Sequence, residues 1–193
     1  MPTPLLGHDW ERFRKATQEE IDAVVSVLES GHLSIAQGFG MPEAEGLENE
    51  FAEWIGADHC LVANSGTAAL HCAVAGVGVE PGDEVLVPAL TFIASVMVVL
   101  HQNAIPVFVD IDPETYLIDP EKIKEKINRR TKAIIPVHVY GLPADMDAIN
   151  EIAKEHGLKV IEDCAQSYGA RYQGRKTGNL GDAAGFSMSP TKQ

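Results

Sequence analysis

A carboxylate and an amine stand near the end of the sequence with a spacing that could serve one reaction. Asp163 follows a short apolar run, Leu158–Ile161, and Lys192 follows a second one, Ala183–Met188. A carboxylate can hold the proton on a pyridine nitrogen, and an amine can form a Schiff base with an aldehyde. Taken alone, the two residues are more simply interpreted as a surface acid and a surface lysine, so the hypothesis depends on the rest of the chain.

A candidate anion-binding segment lies upstream. It is the tetrapeptide Asn64–Thr67, which links an apolar run to a helical pattern. Gly66 would let the backbone approach an anion closely, and Thr67 would offer a hydroxyl beside the unpaired N–H groups of the helix start. Plain N-capping without any ligand explains these residues equally well.

Two commoner phosphate motifs are excluded by residue identity. Gly76-Val77-Gly78 is followed by Pro81 where the third glycine of a dinucleotide fingerprint would stand. The segment Gly169–Thr177 comes close to a P-loop, but Arg175 occupies the lysine position and the segment does not open a helix.

Two single residues allow a functional interpretation that is not the commoner one. Phe92 could lay its ring on a flat heteroaromatic ligand, although a core phenylalanine is more usual. His138 follows an apolar strand and is more simply a buried imidazole with its hydrogen bonds satisfied than a site residue.

The sequence predicts no metal site. Three aspartates crowd one acidic stretch, but they lack the EF-hand order and are typical of a solvated turn; they are Asp110, Asp112 and Asp119. The cysteines show no CxxC spacing and are predicted to be reduced core thiols; they are Cys60, Cys72 and Cys164.

Strand and helix patterns alternate along the chain with short joints, and the strands are nearly continuous runs of Val, Ile and Leu. The predicted strands are Cys60–Ala63, Glu84–Val87, Ile105–Val109, Ala133–Val139, Leu158–Ile161 and Ala183–Met188. The predicted helices are one from the Thr17/Glu20 capping box to Gly31, one ending at Gly56, and Ala68–Val77, Thr91–Gln102, Pro120–Asn128 and Asp147–His156. This pattern predicts an α/β fold in three layers, αβα, with a mostly parallel central sheet. Ligands gather outside the carboxyl ends of such strands, and three polar clusters fall there: Asn64–Thr67, Asp163–Ser167 and Ser187–Lys192.

Composition limits the class of protein. With 193 residues and 45% hydrophobic content, one domain with a core is feasible. No window approaches the roughly 18 continuous apolar residues of a membrane span. The N-terminus is too polar for a signal peptide, so we expect a cytoplasmic location. The net charge of −13 argues against nucleic acid as a partner.

Six blocks, in their order and spacing, carry a family resemblance across essentially the whole chain. They are NSGTAAL, PALTFIAS, PVFVDIDPETYLID, PVHVYGLPADM, IEDCAQSYGA and GDAAGFSMSPTK. With them the chain resembles the DegT/DnrJ/EryC1/StrS family of fold-type I, pyridoxal-phosphate-dependent enzymes, best known as sugar aminotransferases.

The resemblance implies two catalytic residues. Lys192 would form the internal aldimine with pyridoxal phosphate and later move the proton between substrate and cofactor carbons. Asp163 would pair with the protonated pyridine nitrogen, because an opposite charge within a few Å favours the charged form and keeps the ring an electron sink.

The resemblance also implies a cofactor-binding set beyond Asp163 and Lys192. Gln166 would hydrogen-bond the ring hydroxyl, and Phe92 would stack on the ring. The phosphate would be held by Gly66, Thr67 and Ser187.

The implied reaction moves an amino group from an amino-acid donor, glutamate in the first instance, to a keto group of a nucleotide-linked sugar, in a homodimer. Residues 1–193 would form the N-terminal segment and most of the large cofactor-binding domain, without the C-terminal small domain. Two alternatives stay open. One is a non-catalytic or truncated module of the same fold. The other is a sugar dehydratase that uses the amine form of the cofactor, in which histidine replaces the lysine found here at position 192.

Overall fold

The first of two compact units, Met1–Leu47, contains a helix with a complete N-terminal cap. The computed structural model describes residues 16–34, 40–189 and 192 of the chain. Helix α1, Gln18–Ser30, begins at a capping box in which the Thr17 hydroxyl accepts from the Glu20 amide at 3.2 Å and the Glu20 carboxylate accepts from the Thr17 amide at 2.6 Å. Gly31 ends it at φ 72°. The first predicted helix is therefore confirmed, whereas the N-terminal segment assessed for a signal peptide lies outside the described residues.

The second unit, Glu48–Gln193, is built on a five-stranded parallel sheet. Its strands are β1 Glu84–Pro88, β2 Ile105–Val109, β3 Thr131–Ile134, β4 Lys159–Asp163 and β7 Ala183–Gly185, in the order β2-β1-β3-β4-β7. A short antiparallel hairpin, β5 Arg171–Tyr172 and β6 Arg175–Lys176, lies between β4 and β7 in sequence. The predicted α/β class with a mostly parallel sheet is confirmed.

Helices cover both faces of this sheet. These helices are α3 Gly66–Gly76, α4 Ala94–His101, α5 Pro120–Lys126 and α6 Met146–His156, and α2 Pro42–Ile55 precedes them in the sequence. Successive residues of a strand point to opposite faces, so Val85 and Val87 join one core cluster and Leu86 joins the other. The first cluster contains residues of α3 and α4, and the second contains residues of α5 and α6. This separation is the predicted three-layer arrangement.

The strand predicted at Cys60–Ala63 is wrong. The segment has no regular structure, and Leu61 is 81% exposed. Apolar composition favours an extended chain, but a strand also needs a neighbour that supplies N–H and C=O groups, and none of the described strands pairs with this segment.

The last strand is shorter than predicted for a related reason. β7 ends at Gly185, which is opposite Asp163, the last residue of β4. The predicted continuation to Met188 has no ladder partner and leaves the sheet. The polar segment that follows therefore starts at the carboxyl edge of the sheet, beside the end of β4.

The cysteines are only partly as predicted. All three thiols are free, and Cys164 is fully buried, where burial raises its thiol pKa well above the ordinary value. Cys72, however, is exposed and Cys60 is half-buried, so the prediction of core thiols is wrong for Cys72. Cys60 precedes the apolar residues Leu61 and Val62, and Cys72 precedes Ala73, contexts that do not distinguish core from surface. No helix in the described ranges has the length and apolar character that crossing a membrane requires.

Candidate active site at the carboxyl edge of the sheet

Asp163, the last residue of β4, presents a buried carboxylate whose orientation is fixed by hydrogen bonds. Its side chain is 3% exposed. The Ser95 hydroxyl donates to one carboxylate oxygen at 2.6 Å, and the Ala165 amide donates to the other at 3.1 Å. Ser95 also shares a 2.7 Å hydrogen bond with the Thr91 hydroxyl. These contacts hold the plane of the carboxylate rigid before any ligand arrives.

Burial raises the pKa of the Asp163 carboxyl, and the hydrogen bonds from Ser95 and Ala165 and the charge of Lys192 only partly offset that effect. Because the folded-state pKa lies above the unfolded value of 3.8, the folded chain loses stability as the pH rises from that value through the folded pKa. A positively charged donor bound beside Asp163 would remove this cost. The carboxylate is thus suited to hold a protonated nitrogen.

Lys192 places its amine near an aromatic ring and within electrostatic reach of this acid. Its Nζ lies 5.3 Å from the centroid of the Phe92 ring, within the range of a cation–π contact. Its charge is one of the influences that lower the pKa of Asp163. Phe92 itself is 59% exposed. The structure therefore brings the predicted amine, ring and acid to the same edge of the sheet, with the ring available to a ligand rather than buried in the core.

The predicted anion-binding segment lies at the start of α3, in close contact with Ser187. Ser65 caps α3 by accepting from the Ala68 amide at 3.1 Å, so the plain capping role is present. The first amides of the helix, including those of Gly66 and Thr67, have no partner within the helix. A Cβ on Gly66 would lie 2.6 Å from the Ser187 Cβ. Because Gly66 has no side chain, Ser187 can lie close to the start of α3.

Gln166 is positioned by a turn from the neighbouring strand connection. Its side-chain carbonyl accepts from the Tyr140 amide at 3.1 Å, which leaves the NH₂ group as the half that could donate to a ligand. Tyr140 adopts a left-handed conformation, φ 53°, and is 86% exposed. Strained and exposed residues of this kind are common at functional sites.

Three contributors to the site were not singled out from the sequence. Ser95 and Thr91 stand four residues apart in the block PALTFIAS, a spacing that places them on one helical face, but only the fold brings that face to Asp163. Glu162 precedes Asp163 and has no exposed surface. Its partner His138 is confirmed as a satisfied buried imidazole, since both ring nitrogens make hydrogen bonds.

Residues 14–193 match the DegT/DnrJ/EryC1/StrS aminotransferase family. The L-glutamine:2-deoxy-scyllo-inosose aminotransferase of Streptoalloteichus tenebrarius is 42% identical over 192 residues, 98% of this chain and 45% of that protein. The dTDP-3-amino-3,4,6-trideoxy-alpha-D-glucose transaminase of Streptomyces venezuelae is 44% identical over 183 residues, 92% of this chain and 47% of that protein.

A solved structure agrees with the sequence relatives. The aminotransferase from Psychrobacter cryohalolentis superposes with a TM-score of 0.87 at 41% identity, covering 93% of this chain and 45% of that one. The chain spans about half the length of the curated relatives it matches. Enzymes of this family carry pyridoxal phosphate or its amine form, pyridoxamine phosphate. The chain belongs to the DegT/DnrJ/EryC1/StrS family of pyridoxal-phosphate-dependent aminotransferases.

Proposed function

We propose that the protein, in its natural length, transfers an amino group from an amino-acid donor to the keto group of a nucleotide-linked sugar with the help of pyridoxal phosphate. The observation that carries the proposal is the convergence of Lys192, Asp163 and the Gly66–Ser187 contact at one edge of the sheet. One relative names glutamine as donor and an inosose as acceptor, and another names a dTDP-sugar. We propose glutamate as donor and a nucleotide-linked sugar as acceptor. A half-reaction with glutamate, glutamine or alanine compares the donors directly.

The described residues fit the cofactor group by group. Pyridoxal phosphate has a pyridine nitrogen, an aldehyde, a ring hydroxyl, a flat ring and a phosphate. Asp163 is a buried, oriented carboxylate whose ionised form lacks a full counter-charge, which suits the pyridine nitrogen. The helix start at Gly66 and the adjacent Ser187 suit a phosphate. When bound, the cofactor supplies an electron sink for the bond-breaking step.

Some residues of the chain would bind the cofactor, and Lys192 would also transfer a proton. Asp163 holds the proton on the ring nitrogen, with Ser95 keeping its carboxylate in place. Gln166 donates from its NH₂ group to the ring hydroxyl, and Phe92 covers one face of the ring. The amine of Lys192 would hold the aldehyde end of the cofactor and, when free, would serve as the base that carries a proton at the donor carbon.

Replacing Gly66 with alanine should weaken pyridoxal phosphate binding by about tenfold or more, because an overpacked contact costs that much affinity. The added methyl group would lie 2.6 Å from the Ser187 Cβ and 3.1 Å from the Phe186 carbonyl oxygen. Either the start of α3 or the segment containing Phe186 and Ser187 must therefore move, and both form the proposed phosphate site. The measurement is the cofactor dissociation constant from an absorbance titration.

Gly76→Ala is the matched control, since it lies at the other end of α3 with no atom within 4 Å of the new Cβ. It should stabilise the helix slightly and leave cofactor affinity unchanged. Wild-type affinity in Gly66→Ala would show that the phosphate binds elsewhere.

The function is tested by a donor half-reaction. Natural-length protein loaded with pyridoxal phosphate should show an absorbance band for the lysine-bound cofactor, and glutamate should bleach that band with release of one 2-oxo acid per site. Parallel samples with glutamine and alanine rank the donors. A stable band that no amino acid bleaches would favour the non-catalytic module, and loss of a sugar hydroxyl without amine transfer would favour the dehydratase.

We further propose that residues 1–193 contribute most of the large cofactor-binding domain and that the natural-length protein acts as a cytoplasmic homodimer. Support for a covered surface near the site comes from exposed apolar side chains at the carboxyl edge, namely Leu90, Phe92, Ile93 and Met188.

A further inference from the structure

A buried carboxylate with four hydrogen-bond donors sits directly beside the proposed catalytic acid. Glu162 has no exposed surface. One of its oxygens accepts from the Leu180 amide at 2.7 Å and the Gly181 amide at 2.9 Å. The other accepts from the Gly178 amide at 2.8 Å and from the His138 imidazole at 3.0 Å. The side chain therefore ties β4 to the loop that leads into β7.

His138 extends this network to the neighbouring strand connection. Its Nδ1 accepts from the Ala144 amide at 3.1 Å, so the hydrogen of the neutral ring is assigned to Nε2, which donates to Glu162. The backbone amide of His138 donates to the Asp163 carbonyl at 3.2 Å. One residue thus holds both the carboxylate of Glu162 and the main chain of Asp163.

The cluster of His138, Glu162 and Cys164 links parts of the backbone by hydrogen bonds and does not suit a metal ion. Ligand atoms of His138, Glu162 and Cys164 lie within 4.8 Å of one another. Both imidazole nitrogens and both carboxylate oxygens are already engaged, and burial keeps Cys164 a protonated thiol by raising its pKa. Burial raises the pKa of Glu162, but the hydrogen bonds from His138, Gly178 and Leu180 outweigh burial. The net pKa is below the ordinary value, so the group is ionised at neutral pH.

The network connects to two proposed cofactor-binding residues, Asp163 and Gln166, through the backbone. Glu162 and Asp163 are successive strand residues, so their side chains leave opposite faces of the sheet. His138 opens the short 3-10 turn Val139–Gly141, whose Tyr140 amide holds the side chain of Gln166. Moving His138 would therefore disturb both the end of β4 and the Gln166 amide.

We propose that Glu162 and His138 are positioning residues that fix Asp163 and Gln166 in place for the pyridine ring; this inference rests on the proposed function. The pair is named the Glu162–His138 clamp. It acts from the opposite face of the sheet through backbone contacts of β4 and of the turn Val139–Gly141.

Glu162→Gln tests the clamp with little change of shape. An amide nitrogen in place of either carboxylate oxygen would face two donors, either the amides of Leu180 and Gly181 or the Gly178 amide with His138. The buried network can satisfy neither orientation of the amide. The variant should therefore bind pyridoxal phosphate about 10-fold to 100-fold more weakly than wild type. Its lysine-bound cofactor band should also change in position or intensity.

Asp182→Asn is the matched control. Asp182 accepts from the Val160 amide at 2.9 Å and from Lys159 at 2.7 Å, so it ties the beginning of the same strand, away from the site. It should lower the melting temperature of the cofactor-free protein while leaving cofactor affinity and spectrum as in wild type. A purely structural role for Glu162 would give the same result as this control.

Two milder His138 variants keep the test decisive if Glu162→Gln does not fold. The side-chain amide in His138→Gln can reach the Nε2 position and donate to Glu162. The shorter amide in His138→Asn reaches only the Nδ1 position, where its oxygen accepts from the Ala144 amide. The clamp predicts that glutamine restores cofactor affinity and spectrum better than asparagine does. Equal behaviour of the two variants would overturn the proposal.

Hydrogen exchange in the cofactor-free protein separates this inference from the proposed function. Glu162→Gln should speed exchange of the His138 and Tyr140 amides, which donate to Asp163 and Gln166, and Asp182→Asn should not. Unchanged exchange at both amides would overturn the clamp even if the protein binds cofactor. Failure of the wild type to bind pyridoxal phosphate would overturn the proposed function and, with it, the clamp's role toward a cofactor.

Discussion

Lys192→Ala should abolish the absorbance band of the lysine-bound cofactor and should lower the proposed amine transfer by about 100-fold to 10,000-fold, the range expected for losing a positioned proton-transfer group. The prediction follows from the amine's position against Phe92 and from its charge effect on Asp163. Alanine provides neither the nucleophile nor the base. The measurements are the absorbance spectrum after cofactor addition and the rate of 2-oxo acid release from the donor.

Lys176→Ala is the control for this experiment, because its Nζ also lies over an aromatic ring, 4.3 Å from the Trp54 centroid. That contact is made from β6, and the variant should keep both the band and the rate. A band that survives Lys192→Ala would remove Lys192 from the catalytic role.

Asp163→Asn should have opposite effects on the loaded and the empty protein. With cofactor, amine transfer falls by about 100-fold to 1000-fold, because removing one partner of a buried charge pair is strongly unfavourable. Without cofactor, the variant should be more stable than wild type at neutral pH, since burial raises the pKa of Asp163 and its ionised form costs stability. The stability difference should shrink as the pH falls toward 3.8, the ordinary value for this group.

The measurements are donor turnover and the pH dependence of the melting temperature for both proteins. Asparagine can satisfy the same neighbours, with its oxygen toward the Ala165 amide and its NH₂ toward Ser95, so the fold should persist. Ser95→Ala should have a smaller effect, a loss of cofactor affinity of about 10-fold to 100-fold, the range for one hydrogen bond to a charged group. Lower stability of empty Asp163→Asn at neutral pH would contradict the electrostatic account of this acid.

The position of Asp163 could be predicted from the sequence because it depends on local rules. A run of apolar residues ending in acids predicts a strand with polar groups at its carboxyl end, and the structure has this at β4. The same reasoning anticipated Lys192 beyond the next strand, whereas Gly66 lies at the start of α3 with no strand before it. The role of Gln166 came only from the family resemblance. Ring stacking by Phe92 was considered from the sequence, but a core position was the more usual interpretation, and the side chain is exposed.

Contacts between distant parts of the chain could not be predicted in this way. Ser95 and Asp163 are separated by 68 positions, and His138 and Glu162 by 24, so both pairs depend on the order of strands in the sheet. Periodicity does not determine that order. The error at Cys60–Ala63 has the same origin, because an apolar run becomes a strand only beside a partner.

In the proposed complex, Asp163 holds one small heterocycle at its nitrogen and Lys192 holds the same ring at its aldehyde. The most direct measurement is a crystal structure of the natural-length protein with pyridoxal phosphate. We predict the ring nitrogen at about 2.7–3.2 Å from a carboxylate oxygen of Asp163, with continuous density from Lys192 to the cofactor and the phosphate against Gly66 and Ser187. A ring nitrogen away from Asp163, or a phosphate bound elsewhere, would contradict the account.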